Sequence, residues 1–138
     1  MPRTFMLLGA VFGFVGVGAG AFGAHALRRT VQAPERVATF QTGANYTLWH
    51  ALALLATGIA SAVLAGGELF FRLSGWCFAL GIVGFSGSLF VLSVTGRRAW
   101  GRVTPVGGVL LLLGWAFLAI GLALAGERSF GGVFVGGG

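Results

Sequence analysis

The chain contains no lysine and no aspartate. Its 9 basic residues are all arginines and its 3 acidic residues are all glutamates, in a sequence of 138 residues. Charged residues make up 9% of the total, whereas a soluble domain carries about 25%. A water-soluble fold is excluded on that ground. Glu35, Glu68 and Glu127 stand far apart, each beside an apolar stretch, and do not supply the paired carboxylates that general acid–base chemistry needs. They read as solvated charges at helix ends. With no aspartate, and with neither histidine near a serine in sequence, no hydrolase triad is legible. Cys77 is the only cysteine, so an intrachain disulfide is impossible and no thiolate cluster exists to hold a metal. It reads as a small buried hydrophobe.

Four long uncharged runs occupy the space that charge has vacated. They cover residues 4–27, 37–67, 73–96 and 103–126, and short arginine-bearing gaps separate them. About 20 apolar residues suffice for a helix to cross a hydrocarbon core of roughly 30 Å. Hydrophobic residues reach 57% and the mean hydropathy is +0.93. The expected fold is therefore all-α, a four-helix transmembrane bundle. Residues 1–128 form its single membrane domain, and the glycine-rich stretch 129–138 (SFGGVFVGGG) is expected to be a flexible tail. Arg3, the first apolar run and Ala24-His25-Ala26 together mimic a secretory signal with its cleavage site. That run exceeds the roughly 7–15 residues of a signal core, so a retained first helix is expected.

The arginines set the orientation. Arg28, Arg29 and Arg36 fall in the first gap and Arg97, Arg98 and Arg102 in the third, against Arg3, Arg72 and Arg128 on the opposite side. The positive-inside rule puts loops 28–36 and 97–102 in the cytoplasm and both termini outside. A net charge of +6 otherwise hints at nucleic acid, but that needs basic residues clustered on one exposed face. Here they sit at helix ends, where Arg28, Arg29, Arg97 and Arg98 suit anionic lipid head groups. No nucleic-acid partner is expected.

The second run is too long for a simple span. A helix over 34–67 would extend roughly 50 Å, so 34–44 is expected at or outside the interface, with the crossing from about Asn45 to Leu64. Pro34 suits a first helical position and Glu35 the positive end of the helix dipole. Thr104 is a candidate cap for the fourth helix, with Pro105 in its first turn. The 26 glycines describe packing, because small residues let helices approach closely in lipid. Gly9, Gly13, Gly16, Gly20 and Ala24 share a face of the first helix. Gly81, Gly84, Gly87 and Ser88 mark the third, and Gly107, Gly114 and Gly121 repeat every seven residues in the fourth. These faces serve packing within the bundle or, alternatively, association into a homo-oligomer or with a larger membrane complex. Gly18-Ala19-Gly20-Ala21-Phe22-Gly23 matches a dinucleotide fingerprint in letters only, because it follows no strand.

The second helix carries a polar stripe of Thr39, Thr42, Tyr46, His50, Thr57 and Ser61, interrupted by Ala53. Helical spacing puts these on one face. That face is expected to point into the bundle, with Leu48, Leu52, Leu55 and Ile59 toward lipid, since unpartnered polar groups are unfavourable in hydrocarbon. The two histidines, His25 and His50, flank a short loop and are expected at similar depth. An ionisable residue inside a membrane is a functional candidate. Structural hydrogen bonding, a proton or solute relay, and paired ligation of haem or a metal all remain open. No carboxylate or cysteine lies at ligand spacing, so neither a metal nor another cofactor is expected.

Four segments carry a family resemblance: GAFGAHAL at 20–27, YTLWHALALL at 46–55, FSGSL at 85–89 and TPVGGV at 104–109, followed by Gly114-Trp115. Together they resemble the small membrane proteins called the domain of unknown function 423 family, also described as YgdD-like. The resemblance implies a four-helix protein of the bacterial inner membrane and brings no reaction, substrate or cofactor. With the expected topology the motifs converge on the cytoplasmic half of the bundle, and FSGSL lies near the midplane. His25, Tyr46, His50 and Ser86 are then the candidate polar pocket for a small anionic or polar ligand, with arginines at its mouth. The other reading is that these residues only fix helix ends and loops. The expected function is a non-enzymatic packing or accessory membrane protein. The alternative is a small transporter or channel for protons or a polar solute, using the pocket around His25 and His50.

Overall fold

The computed structural model describes residues 1–127. The expected tail at 129–138 and Arg128 lie outside the described residues. Four helices account for almost all of the described chain. Helix α1 (Pro2–Phe22) continues without interruption through a π-helical turn, Gly23–Leu27, and a last short piece, Arg28–Thr30. Helix α2 spans Pro34–Val63, α3 Glu68–Thr95 and α4 Thr104–Leu124. A 3₁₀ turn, Arg98–Arg102, joins α3 to α4. All four are long and apolar enough to cross a membrane. Two-residue strands β1 (Leu64–Ala65) and β2 (Gly126–Glu127) pair antiparallel at the end opposite the arginine-rich loops.

Local chemistry sets the boundaries. Pro34 opens α2 and Pro105 lies in the first turn of α4, where a missing N–H costs nothing. Gly96 ends α3 with φ +68° and donates its N–H to Leu92 O at 2.8 Å; that left-handed conformation suits glycine. Thr104 does not cap α4 as expected. It is the helix's first residue, and its hydroxyl lies 2.7 Å from Ser88 Oγ on α3. Helix α2 runs as one unbroken helix through the stretch expected at the interface, where Phe40 and Ala44 are buried.

The helices pack mainly in chain order: α1 along α2, α2 along α3 and α3 along α4, with a narrow touch between α2 and α4. Two glycine seams bring neighbours together. On α1, a Cβ added to Gly9 would lie 2.8 Å from Leu55 Cγ and one on Gly16 2.8 Å from Leu48 Cγ; Gly23 faces Phe40 and Gln41. On α4, Gly121 faces Phe71, Gly114 faces Phe78, and Gly107 lies on the backbone of Gly84 and Phe85. Leu48 and Leu55 therefore fill notches on α1 rather than pointing fully to lipid, as expected for them, whereas Leu52 and Ile59 are exposed. The core between the seams holds Phe5, Leu54, Phe71 and Phe78, all fully buried. Outward faces carry Phe14 at 83% and Leu112 at 71% exposure. Such continuous apolar surface is a liability in water and ordinary in lipid.

Alternating helix direction gathers the ends of α1 and α3 and the starts of α2 and α4 on one side. Loops 28–36 and 97–102 lie there together. Arg36 crosses between them: its Nε donates to Ser93 O at 2.8 Å and its NH2 nitrogen to Val94 O at 2.7 Å. It satisfies carbonyls that α3 leaves open at its C-terminus and places a cation at the negative end of that helix.

Candidate functional site

His50 is buried on α2, and both its ring nitrogens are engaged. Trp115 Nε1 on α4 donates to His50 Nε2 across 3.2 Å. An indole nitrogen only donates, so Nε2 is the acceptor and Nδ1 carries the proton of a neutral ring. That Nδ1–H donates to Tyr46 O, 2.8 Å away and one turn earlier. Aromatic rings close the site. Tyr46 stacks on His50 with centroids 5.7 Å apart, Phe78 lies 5.7 Å from His50, and Phe85 lies 4.5 Å from Tyr46. Phe78 meets Trp115 edge-on at 5.2 Å.

The glycine seam makes this arrangement possible. Gly114 sits directly against Phe78, so α4 comes close enough for the next residue, Trp115, to span α3 and reach α2. Ser74 on α3 donates to Gly114 O at 2.8 Å and fastens α3 to α4 at the same level. Three helices thus meet at one histidine.

Other buried hydroxyls mostly turn back on their own helix. Thr47 donates to Gly43 O, Thr57 to Ala53 O and Ser93 to Leu89 O, all within 2.9 Å. This one-turn bonding removes the cost of a polar group in hydrocarbon without a partner helix. Ser86 differs. Its Oγ is buried and has no hydrogen-bond partner among the described residues. Along the α2 stripe, His50, Ala53, Thr57 and Ser61 are buried, Thr39 and Tyr46 half-buried, and Thr42 exposed.

Of the four pocket candidates, Tyr46 and His50 share a ring contact. Ser86 lies in the α2–α3 interface, its carbonyl close against Gly43. His25 is exposed on the π-helical turn of α1. Helix α2 starts at Pro34, so His50 lies about 24 Å along it, more than four turns in. The seam puts His25 near the level of Phe40 and Gln41, and His50 near the level of Gly13 and Gly16. The two histidines do not meet. Trp115 and Phe78, which complete the site, were not among the candidates. The only sequence trace of the first is the Gly114-Trp115 pair, and of the second the seven-residue step shared by Phe71, Phe78 and Phe85.

Among the described residues, cavities of about 600, 310 and 270 Å³ open at the ends of the bundle, and none of these three is lined by Tyr46, His50 or Ser86. No group of three or more His, Cys, Asp or Glu side chains comes together to hold a metal among the described residues.

The chain is similar to several bacterial membrane proteins. It is 45% identical over 122 residues to the UPF0382 inner membrane protein YgdD of Escherichia coli K12, covering 88% of this chain and 91% of that one. It is 40% identical over 119 residues to the UPF0382 membrane protein SSP2132 of Staphylococcus saprophyticus, covering 86% and 96%. The UPF0382 membrane protein SH2409 of Staphylococcus haemolyticus is 36% identical over 118 residues, covering 86% and 93%. No solved structure matches. The family model described as "Protein of unknown function (DUF423)" matches residues 19–108, which include the π-helical turn, Tyr46, His50, Phe78 and Ser86 but not Trp115. The chain is a multi-pass membrane protein and belongs to the DUF423 family.

Proposed function

We propose that this protein is a non-enzymatic accessory protein of the membrane. His50, Ser74 and Ser88 fasten helices to one another, and its arginine-rich end, turned to the cytoplasm, meets anionic head groups through Arg28, Arg29, Arg97 and Arg98. The observation that carries this reading is the double engagement of His50 by Tyr46 O and Trp115 Nε1. A relay histidine takes a proton on one nitrogen and passes it from the other. A proton arriving at Nε2 here would face an indole N–H and break the bond that ties α4 to α2. Helices α1 and α4 each keep a long apolar face free of the other helices, and these are the faces for a companion membrane protein or a second copy.

The competing reading is a path for protons or a small polar solute past Tyr46, His50 and Ser86. The unpartnered Ser86 hydroxyl is the one observation in its favour. Two measurements separate the readings. In the accessory reading, Trp115→Phe and His50→Ala each lower the melting temperature in detergent. The double variant loses less than their sum, with a coupling of about 1 kcal/mol, the scale of hydrogen bonds between membrane helices. Liposomes loaded with a pH-sensitive dye show no proton flux above empty liposomes. Flux that disappears in His50→Ala would establish the path instead.

A further inference from the structure

The largest of these three cavities, about 600 Å³, opens at the arginine-rich end between the π-helical turn of α1 and the first two turns of α2. Its position follows from the α1 seam. Gly23 is the last glycine of that seam, and Phe40 fills its notch. Beyond Gly23 the backbone widens into the π-helical turn, a feature often found at functional sites. The connection closes through only three residues, 31–33, before Pro34 starts α2. The wedge between the helices is left open.

Its lining is amphipathic. Ala24, Val31, Pro34, Val37 and Ala38 present carbon, and Arg28 is the only charged residue of the lining among the described residues. The Arg28 side chain has no hydrogen bond or ion pair among the described residues. Among the described residues no carboxylate lines the cavity; Glu35 instead lines the separate 310 Å³ cavity, with Arg36 and Arg98. Gln41 also reaches the cavity. One of its amide hydrogens goes to Asn45 Oδ1 at 3.2 Å, which leaves the other for a ligand oxygen. Ala33, at the start of α2, provides no side-chain cap, so the positive end of that helix also faces this region.

We propose that this cavity is a discrete site for one anionic phospholipid, with its phosphate at Arg28 and its upper acyl carbons against Val31, Val37 and Ala38. The volume lies within the roughly 300–1,000 Å³ of organic-ligand sites, which is generous for a bare phosphate. The cavity runs about 10 Å along α2 from Pro34 to Gln41, from head-group level toward the hydrocarbon. The inference rests on the reading that the arginine-rich end meets anionic head groups, and it adds that one arginine holds a single lipid in a built recess.

The test is native mass spectrometry of the detergent-purified full chain, with equal amounts of phosphatidylglycerol and phosphatidylcholine added. One phosphatidylglycerol per chain is expected to survive at collision energies that strip phosphatidylcholine. Arg28→Gln is expected to lower its retention about fivefold or more, the effect of one basic residue near a lipid surface. Arg28→Lys should recover part of it. Ala38→Trp, which fills the cavity without touching charge, should lose it equally, while Arg97→Gln and Arg98→Gln keep it. Circular dichroism confirms that each variant is folded. Retention unchanged in both Arg28→Gln and Ala38→Trp overturns the discrete site while leaving the broader lipid reading intact. Equal retention of the two lipids by the unaltered chain overturns the broader reading as well. Displacement of the lipid by soluble glycerol 3-phosphate at matching concentration overturns the lipid as occupant.

Discussion

The two hairpins of this bundle use the same spacing and differ in stiffness. In α1–α2, Gly9, Gly16 and Gly23 receive Leu55, Leu48 and the Phe40–Gln41 pair; in α3–α4, Gly121, Gly114 and Gly107 face Phe71, Phe78 and Phe85. Each step is seven residues, two helical turns, and runs in opposite directions on the two helices of a pair. A seven-residue repeat is what left-handed helix pairs select. In the first hairpin Gly16 meets chiefly the Leu48 side chain, which can change rotamer, and Gly9 meets both the Leu55 side chain and the Ala51 carbonyl oxygen, each 2.8 Å from an added Cβ. In the second the notches are filled by rings, and at Gly107 by main chain. The second hairpin also holds Ser74 on Gly114 O and Trp115 on His50. Rigid packing at α3–α4 fixes the histidine cluster, while α1–α2 leaves its arginine-rich end open as a cavity. The same glycine device thus supports a closed site in one half and an open one in the other.

The strongest way to break the comparison is Gly107→Ala. A Cβ there would land on Phe85 N and the carbonyl carbon of Gly84. Main chain cannot step aside by a rotamer change, so α3 and α4 must separate. Overpacking of this kind costs about 1–3 kcal/mol, sometimes more. The melting temperature in detergent should fall more than for any other single glycine-to-alanine change in the two seams. Because Phe85 abuts Tyr46, tryptophan fluorescence should report a disturbed Trp115. A loss no larger than that of Gly16→Ala would show that the two hairpins are equally compliant.

Gly16→Ala probes the yielding side. The new methyl would lie 2.8 Å from Leu48 Cγ and 3.2 Å from Leu48 N. The Leu48 side chain can turn about χ1, so the expected cost is about 1 kcal/mol, at the low end of overpacking penalties. Trimming the partner should recover much of it. In a double-variant cycle, Gly16→Ala with Leu48→Ala should be less unstable than the two single losses added together. An additive result would mean that the main-chain contact sets the cost and that α1–α2 is as stiff as α3–α4.

What the sequence revealed and what it hid divide along the same line. Four uncharged runs between arginines are a one-dimensional signal, and they announced four membrane helices. Glycine spacing announced which faces pack, because small residues in lipid have little other use. It did not announce the partner. Phe71, Phe78 and Phe85 share the seven-residue step, yet the step alone does not say which helix they meet. Leu48 and Leu55 look lipid-facing until α1 is known to offer them notches. Arg36 reads as one more loop charge, whereas folding spends it on the carbonyls of Ser93 and Val94. Trp115 lies 65 residues from His50, beyond any local pattern. The short loop between the histidines suggested a shared depth, but helix α2 runs four turns before His50. Loop length constrains helix ends and says little about positions far along them.

The smallest expected effect concerns glycines that the seams do not use. A Cβ on Gly18 or on Gly87 would meet nothing within 4 Å. In the isolated chain, alanine at either position should be neutral or stabilising by up to about 1 kcal/mol, the usual gain from replacing a helix glycine whose surroundings are open. Gly18 is exposed on the outer side of α1 and Gly87 half-buried on α3. Thermal melts of the monomer in detergent and of the protein reconstituted in bilayers should therefore agree for both variants. If Gly18→Ala proves neutral in detergent yet clearly destabilising in the bilayer, a second helix must approach the outer side of α1 there. The more compliant hairpin would then also be the one that contributes a face to an assembly, and its glycines would divide into one set facing α2 and another facing a companion.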